Sequence, residues 1–262
     1  MFSQVYACFV TGIYLFTVKN NGGNMKLTKR LEKIASLVSE DITLADVGTD
    51  HGYIPVFLLE NKIVKRAILS DINKGPLNNA REEIEKRKLE EFTELRLGGG
   101  VSILQANEVD EIIIAGMGGI LISEIIRDGF EVCKAADKLI LQPMQAPEEL
   151  RKYLYENNFE IIDEHIVNED FRIYEIIEAR YSDKTIDDVD EIYYEFPKKL
   201  VERKDPLMKE LIIKKINQCQ SILEKIGNAQ GEAIESRRNE VSERIDALKI
   251  LIDKMEDCND FK

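Results

Sequence analysis

From Met25 onward, Leu27, Leu31, Ile34, Leu37 and Val38 recur at helical spacing and predict a first helix. Short apolar runs and amphipathic stretches then alternate. Residues 42–47, 66–70, 92–97, 111–115 and 139–142 read as strands, the fourth apolar enough to be buried on both faces and the fifth stopped by Pro143. Residues 53–60, 74–88, 121–127 and 147–157 read as helices. Two longer strands, 159–167 and 171–181, follow, with only the turn Asn168-Glu169-Asp170 between them. Strand–helix alternation predicts a Rossmann-like α/β fold, a doubly wound and mainly parallel sheet whose strand C-termini share one edge. The last two strands are too close in sequence for a crossover and predict an antiparallel hairpin at the edge of the sheet.

The pattern changes near Ser182. Ile212, Ile216, Cys219, Leu223 and Ile226 follow a 4-3-4-3 spacing, as do Val241, Ile245, Leu248, Ile252 and Met255, with Gly227, Asn228 and Gly231 between the two runs. This predicts a C-terminal antiparallel helical hairpin of coiled-coil type. The expected organisation is a ligand-binding sheet domain over 25–182 and a coiled-coil domain over 183–262. Residues 2–18 are apolar but carry no basic residue before them, and they hold Gln4, Thr11 and Thr17. That argues against a secretory signal and against a membrane span. Residues 1–24 are read as a non-native or disordered extension, with Met25 the better-formed start.

Composition narrows the class. The 262 residues are 44% hydrophobic and 32% charged, as in a globular protein, and the net charge is −13. So acidic a chain does not advertise nucleic-acid binding overall, yet Lys26, Lys29, Arg30 and Lys33 form a basic patch broken only by Glu32. Such a patch is either a solvated helix face or a local phosphate contact. Cys8, Cys133, Cys219 and Cys258 have no CxxC spacing, which fits reduced thiols in the cytoplasm. His51 and His165 are the only histidines, which argues against a zinc site, and no metal is expected.

The candidate chemistry lies where strands end. After the first strand comes Gly48-Thr49-Asp50-His51-Gly52, which lacks the dinucleotide pattern G-x-G-x-x-G but joins a strand to a helix N-terminus. Asp71 ends the second strand 23 residues after Gly48. An acid at that distance either holds ribose hydroxyls or caps the next helix. Gly98-Gly99-Gly100 follows the third strand and Ala115-Gly116-Met117-Gly118-Gly119 the fourth. Backbone cleared of side chains at strand C-termini points to close approach by a ligand. Together these features favour a nucleoside ligand without naming it.

Between Met25 and Tyr181 the chain resembles the bacterial tRNA (adenine-N1)-methyltransferases that modify position 22 in the D-arm. The resemblance rests on Lys29-Arg30-Leu31, the run from Ala45 to Pro55, Asn73-Lys74-Gly75-Pro76, the run from Ile114 to Gly119, Leu141-Gln142-Pro143 and Tyr174-Glu175-Ile176. It implies a class I methyltransferase fold, S-adenosylmethionine as cofactor, tRNA as partner, and a C-terminal coiled coil. It places cofactor contacts on Asp46, Gly48, Asp71, Ile72, Gly98, Gly99, Ala115, Gly116 and Met117, and puts Asp50, His51 and Tyr53 at the reacting end. Two positions depart from the family pattern: Gly99 stands where the family has Asp, and Met144 where it often has Asn.

Adenine N1 carries an available lone pair, so the expected mechanism is orientation of an unpaired base without proton abstraction. Asp50 would accept a hydrogen bond from the exocyclic amine, Tyr53 would stack or hydrogen-bond, and His51 would either act there or fix the loop. Lys26, Lys29, Arg30 and Lys33 are the candidate tRNA face. No membrane association is expected, and the chain is expected to be a monomer or weak oligomer in the cytoplasm. The alternatives are a methyltransferase with another RNA, protein or small-molecule acceptor, and a non-catalytic RNA-binding protein.

Overall fold

A computed structural model of the chain describes residues 25–185, 189–227 and 229–256. The reading of residues 1–24 therefore lies outside the described residues. In chain order the elements are α1 (Lys29–Ala35), β1 (Thr43–Val47), α2 (Tyr53–Glu60), β2 (Arg66–Asp71), α3 (Lys74–Arg87), β3 (Thr93–Leu97), β4 (Glu111–Gly118), α4 (Gly119–Asp128), α5 (Phe130–Ala135), β5 (Lys138–Gln145), α6 (Pro147–Glu156), β6 (Phe159–Glu169), β7 (Arg172–Tyr181), α7 (Ile192–Glu195), α8 (Lys198–Glu202), α9 (Pro206–Ile226) and α10 (Glu232–Glu256). They fall into two compact units. The first runs to Ile162 and resumes at Val167; the second takes Asp163–Ile166 and the described residues from 189 onward.

The first unit is a seven-stranded sheet in the order β3-β2-β1-β4-β5-β7-β6. Pairings from β3 across to β5 are parallel, and β7 runs antiparallel to β5. Strand burial explains the order. Ile112 and Ile114 of β4 face one hydrophobic core with Ala45, Val47, Leu139 and Leu141, while Ile113 faces the other with Leu44, Ala67, Leu69 and Ile140. A strand buried on both faces needs helices on both sides of the sheet. Chain direction across the sheet reverses between β1 and β4. The crevice at that switch point, outside the strand C-termini, is where ligands bind in such sheets.

Three details differ from the pattern reading. First, β5 passes through Pro143 and ends at Gln145. Its partner β4 is irregular around Met117, opposite Pro143, so the proline's missing N–H falls where the ladder is already broken. Second, β4 extends beyond Ala115 to Gly118. Third, α5 forms directly after Gly129, which ends α4, and buries Cys133.

In the second unit, Asp205 caps α9 by accepting from the Leu207 and Met208 N–H groups at 3.0 and 3.1 Å. The α9–α10 pair is an antiparallel hairpin. Lys209 at its open end pairs with Glu256 at 2.7 Å, and Arg238 donates to the Gly227 and Ala229 carbonyls at the turn. Met208, Ile212 and Cys219 pack with Val241, Ile245, Leu248, Leu251 and Met255. Leu251 takes the buried place that the heptad reading gave Ile252, because Tyr193, Phe196, Leu200 and Val201 of the α7–α8 region widen the core beyond a two-helix seam. No helix among the described residues is long and apolar enough to cross a membrane.

Candidate active site

The loop after β1 is pinned to β2. The Gly48 and Thr49 N–H groups both donate to the Ser70 carbonyl, at 2.8 and 2.9 Å. Gly48 has a φ of +78°, and a Cβ there would lie 2.0 Å from Cε of Met117. The first loop and the loop after β4 therefore meet, with the Met117 side chain lying over Gly48. Gly116, with a φ of +81°, leaves open space where a Cβ would stand. Gly52, also at positive φ, begins α2; its missing Cβ lets the helix sit against Leu69 and Ala80.

Asp46 is buried at the end of β1. Burial pushes its carboxyl up to about 6, against the opposing effect of a hydrogen bond from Thr49. The Thr49 oxygen also accepts the Gly52 N–H at 3.1 Å, so one hydroxyl links the helix start to the carboxyl. Such a carboxyl, with a single neutral partner, is suited to meet a cation. Asp71 spends one oxygen on the Asn73 N–H at 2.7 Å, forming a turn ahead of α3. Ile72 beside it is largely exposed, and its Cδ1 is 3.8 Å from where a Gly99 Cβ would lie. These three surfaces could hold an ammonium, a pair of hydroxyls and a flat ring in turn.

The loop after β3 is held by a clamp that the sequence reading did not identify. Gly98 donates to the Asp71 carbonyl at 3.0 Å. Arg96 binds Glu94, Glu108 and the Ile103 carbonyl. Hydrogen bonds from Arg96 hold the Glu108 carboxyl down at about 2. A Cβ on Gly98 would meet Ile103 at 2.1 Å, so glycine keeps the loop closed on itself.

Asp50, His51 and Tyr53 form one cluster, with Asp50 and Tyr53 exposed and His51 half-buried. The imidazole stacks on the Tyr53 ring at 4.9 Å and 7°, and its Nε2 lies 3.5 Å from an Asp50 oxygen. At the end of β5, Gln142 is fully buried. Its Oε1 accepts from Arg30 at 2.6 Å, while its Nε2 donates to the Pro143 carbonyl at 2.9 Å and lies 3.6 Å from the Met144 sulfur. Arg30 also sits over the Tyr174 ring at 5.3 Å. Thus the basic patch divides. Lys26 and Lys29 are exposed and Lys33 is half-buried, while Arg30 is drawn inward onto Gln142 near the end of β5. Gln142 stands in the Leu141-Gln142-Pro143 run, but its partner lies 112 residues away, so the contact itself is not legible along the chain.

A family model described as a methyltransferase domain matches residues 27–177. The tRNA (adenine(22)-N(1))-methyltransferase of Bacillus subtilis is 31% identical over 238 residues, covering 87% of this chain and 98% of that protein. The crystal structure of the Bacillus subtilis tRNA methyltransferase TrmK superposes with a TM-score of 0.76 at 31% identity, over 87% of this chain and all of that one. Streptococcus pneumoniae Sp1610, in complex with S-adenosyl-L-methionine, gives 0.74 at 30% identity, covering 87% of this chain and 100% of that one. With a methyltransferase domain over its sheet and likeness to TrmK along nearly all of TrmK's length, the chain belongs to the tRNA (adenine(22)-N(1))-methyltransferase family.

Proposed function

We propose that this chain methylates N1 of adenine 22 in the D-arm of tRNA, using S-adenosylmethionine. The observation that carries the reading is the contact of the Gly48 and Met117 loops beside the buried Asp46, with the Asp50, His51 and Tyr53 cluster next to them. The cofactor supplies an electrophilic methyl group, and the adenine lone pair needs no base to free it. Asp46 would hold the cofactor's ammonium, Asp71 its ribose, and Ile72 with Gly98 and Gly99 its adenine. Gly48, Ala115, Gly116 and Met117 would leave room for its central part.

The protein's own work is on the acceptor. Asp50 accepts a hydrogen bond from the exocyclic amine, which orients the base and offsets the positive charge that develops on it. Tyr53, backed by the stacked His51, forms one face of the base pocket, with His51 holding Tyr53 and Asp50 in place. Arg30 fixes the end of β5 through Gln142. Met144 packs where the family often has Asn. Lys26 and Lys29 contact tRNA phosphates. The enzyme works in the cytoplasm as a monomer or weak oligomer and needs no metal. Labelled methyl transfer to unmodified tRNA, followed by nucleoside analysis, tests the reading. The expected product is 1-methyladenosine. Any other methylated product, or binding without transfer, overturns it.

A further inference from the structure

The hairpin between β6 and β7 ends in an aromatic side chain that the fold does not use. Phe171 is wholly exposed, and Arg172 and Ile173 beside it are exposed as well. A single exposed apolar residue is ordinary. Position sets this one apart. Because β7 runs antiparallel to β5, pairing Leu141 with Ile177 and Leu139 with Ala179, its first residues lie toward the C-terminal end of β5. The hairpin tip therefore projects at the same edge as Gln142, Met144 and the loops after β1 and β4.

The tip is also held. Glu169 accepts the Arg30 N–H at 2.7 Å and a hydrogen bond from the Thr28 hydroxyl, which ties the hairpin to the start of α1. This brings the tip near Lys29, whose charge acts on Glu169. Charged groups around the tip and the start of α1 are then Lys26, Lys29, Arg30 and Arg172 against Glu32, Glu169 and Asp170, a local excess of one positive charge. In a chain of net charge −13, a locally positive surface bearing a fully exposed aromatic on an anchored hairpin fits single-stranded nucleic acid.

We propose that the β6–β7 hairpin tip is an RNA-gripping element, in which Phe171 stacks on an unpaired base flanking the target adenine and Arg172 contacts a neighbouring phosphate. The inference rests on the tRNA-methylating reading and adds a residue that selects and positions the substrate. An exposed Phe171 can be changed without disturbing the core.

The test compares wild type, Phe171→Ala, Phe171→Leu, Phe171→Trp and Arg172→Ala for binding of an unmodified tRNA transcript and for methylation kinetics. Phe171→Ala is expected to weaken tRNA binding by about 5- to 150-fold, the range for loss of one base–aromatic stack. Its KM for tRNA should rise in step while kcat at saturating tRNA and the affinity for cofactor stay at wild-type values. Phe171→Trp should retain binding and Phe171→Leu should not. Arg172→Ala should reduce the salt dependence of log Kd by about 1. Unchanged tRNA affinity and KM in Phe171→Ala, in a wild type that methylates the transcript, would overturn this inference alone. Wild-type affinity in Phe171→Leu would also overturn it, because the contact would not be a stack. A wild type that neither binds nor methylates tRNA would overturn the functional reading and this inference with it.

Discussion

Replacing Asp46 with Asn should make the cofactor-free protein more stable and the cofactor weaker. Burial lifts the Asp46 carboxyl from its ordinary 3.8 to about 6. Between those two values the unfolded chain has lost a proton that the folded chain still holds, so stability falls as pH rises through that window. Above about pH 6 the full cost, about 3 kcal/mol, is present. Asn occupies nearly the same volume, and its carbonyl can accept the same hydrogen bond from Thr49, so the variant removes the ionisation and little else. Asp46→Asn should therefore melt roughly 6–12 °C above wild type at pH 8. The gap should close toward pH 4, where the native carboxyl is neutral. Binding moves the other way. Loss of a charge-assisted hydrogen bond to the cofactor's ammonium costs about 1.5–3 kcal/mol, or roughly 10- to 150-fold in Kd. Wild-type affinity should rise as pH increases through about 6, and that of the variant should stay flat. Thermal unfolding across this pH range and calorimetric titration with S-adenosylhomocysteine supply both readouts. A stability gap that persists at pH 4, or a variant that binds cofactor as tightly as wild type at pH 8, would refute the reasoning.

Other outcomes follow from the same geometry. Asp50→Ala, at an exposed position, should lower kcat on tRNA by about 100-fold or more while leaving cofactor binding and the melting temperature near wild type; turnover at the wild-type rate would remove Asp50 from the acceptor site. Gly48→Ala adds a Cβ 2.0 Å from Met117 Cε at a φ of +78°. It should abolish measurable cofactor binding in titration calorimetry, with a loss of stability of about 1–3 kcal/mol from the strained backbone. Lys29→Glu should weaken tRNA binding and flatten its salt dependence, whereas Arg30→Lys should lower kcat through loss of the planar guanidinium that bonds Gln142 and lies over Tyr174. Filter binding over a salt series, together with initial rates, separates these two effects.

The mainly parallel sheet, its edge hairpin and the burial of β4 on both faces were legible because β1, β4 and β5 are short apolar runs bounded by Asp, Gly or polar residues, whereas the order of the strands across the sheet came only with the fold. The glycine loops were legible for a related reason: glycine clusters at strand ends have few other uses. What the sequence hid is mostly non-local. Arg30 reads as one more cation on a basic helix, and only the fold reveals Gln142 beside it. Arg96 and Glu108, 12 residues apart, clamp the 98–108 loop without any motif. Pro143 reads as a strand stop because the irregular ladder opposite it cannot be seen along the chain. The helix α5 is too short to show a period of its own. Heptad spacing located the C-terminal hairpin but chose Ile252 over Leu251, since the α7–α8 segment that redirects the core lies outside the repeat.

The central claim is methylation of one base at one position, and paired transcripts test it most directly. Two unmodified tRNA transcripts, one with adenine and one with guanine at position 22 and otherwise identical, are incubated with enzyme and labelled S-adenosylmethionine. The products are then digested for nucleoside analysis. The account predicts label as 1-methyladenosine in the adenine transcript and none in the guanine transcript. Equal labelling of both transcripts, or label in any other nucleoside, would contradict it.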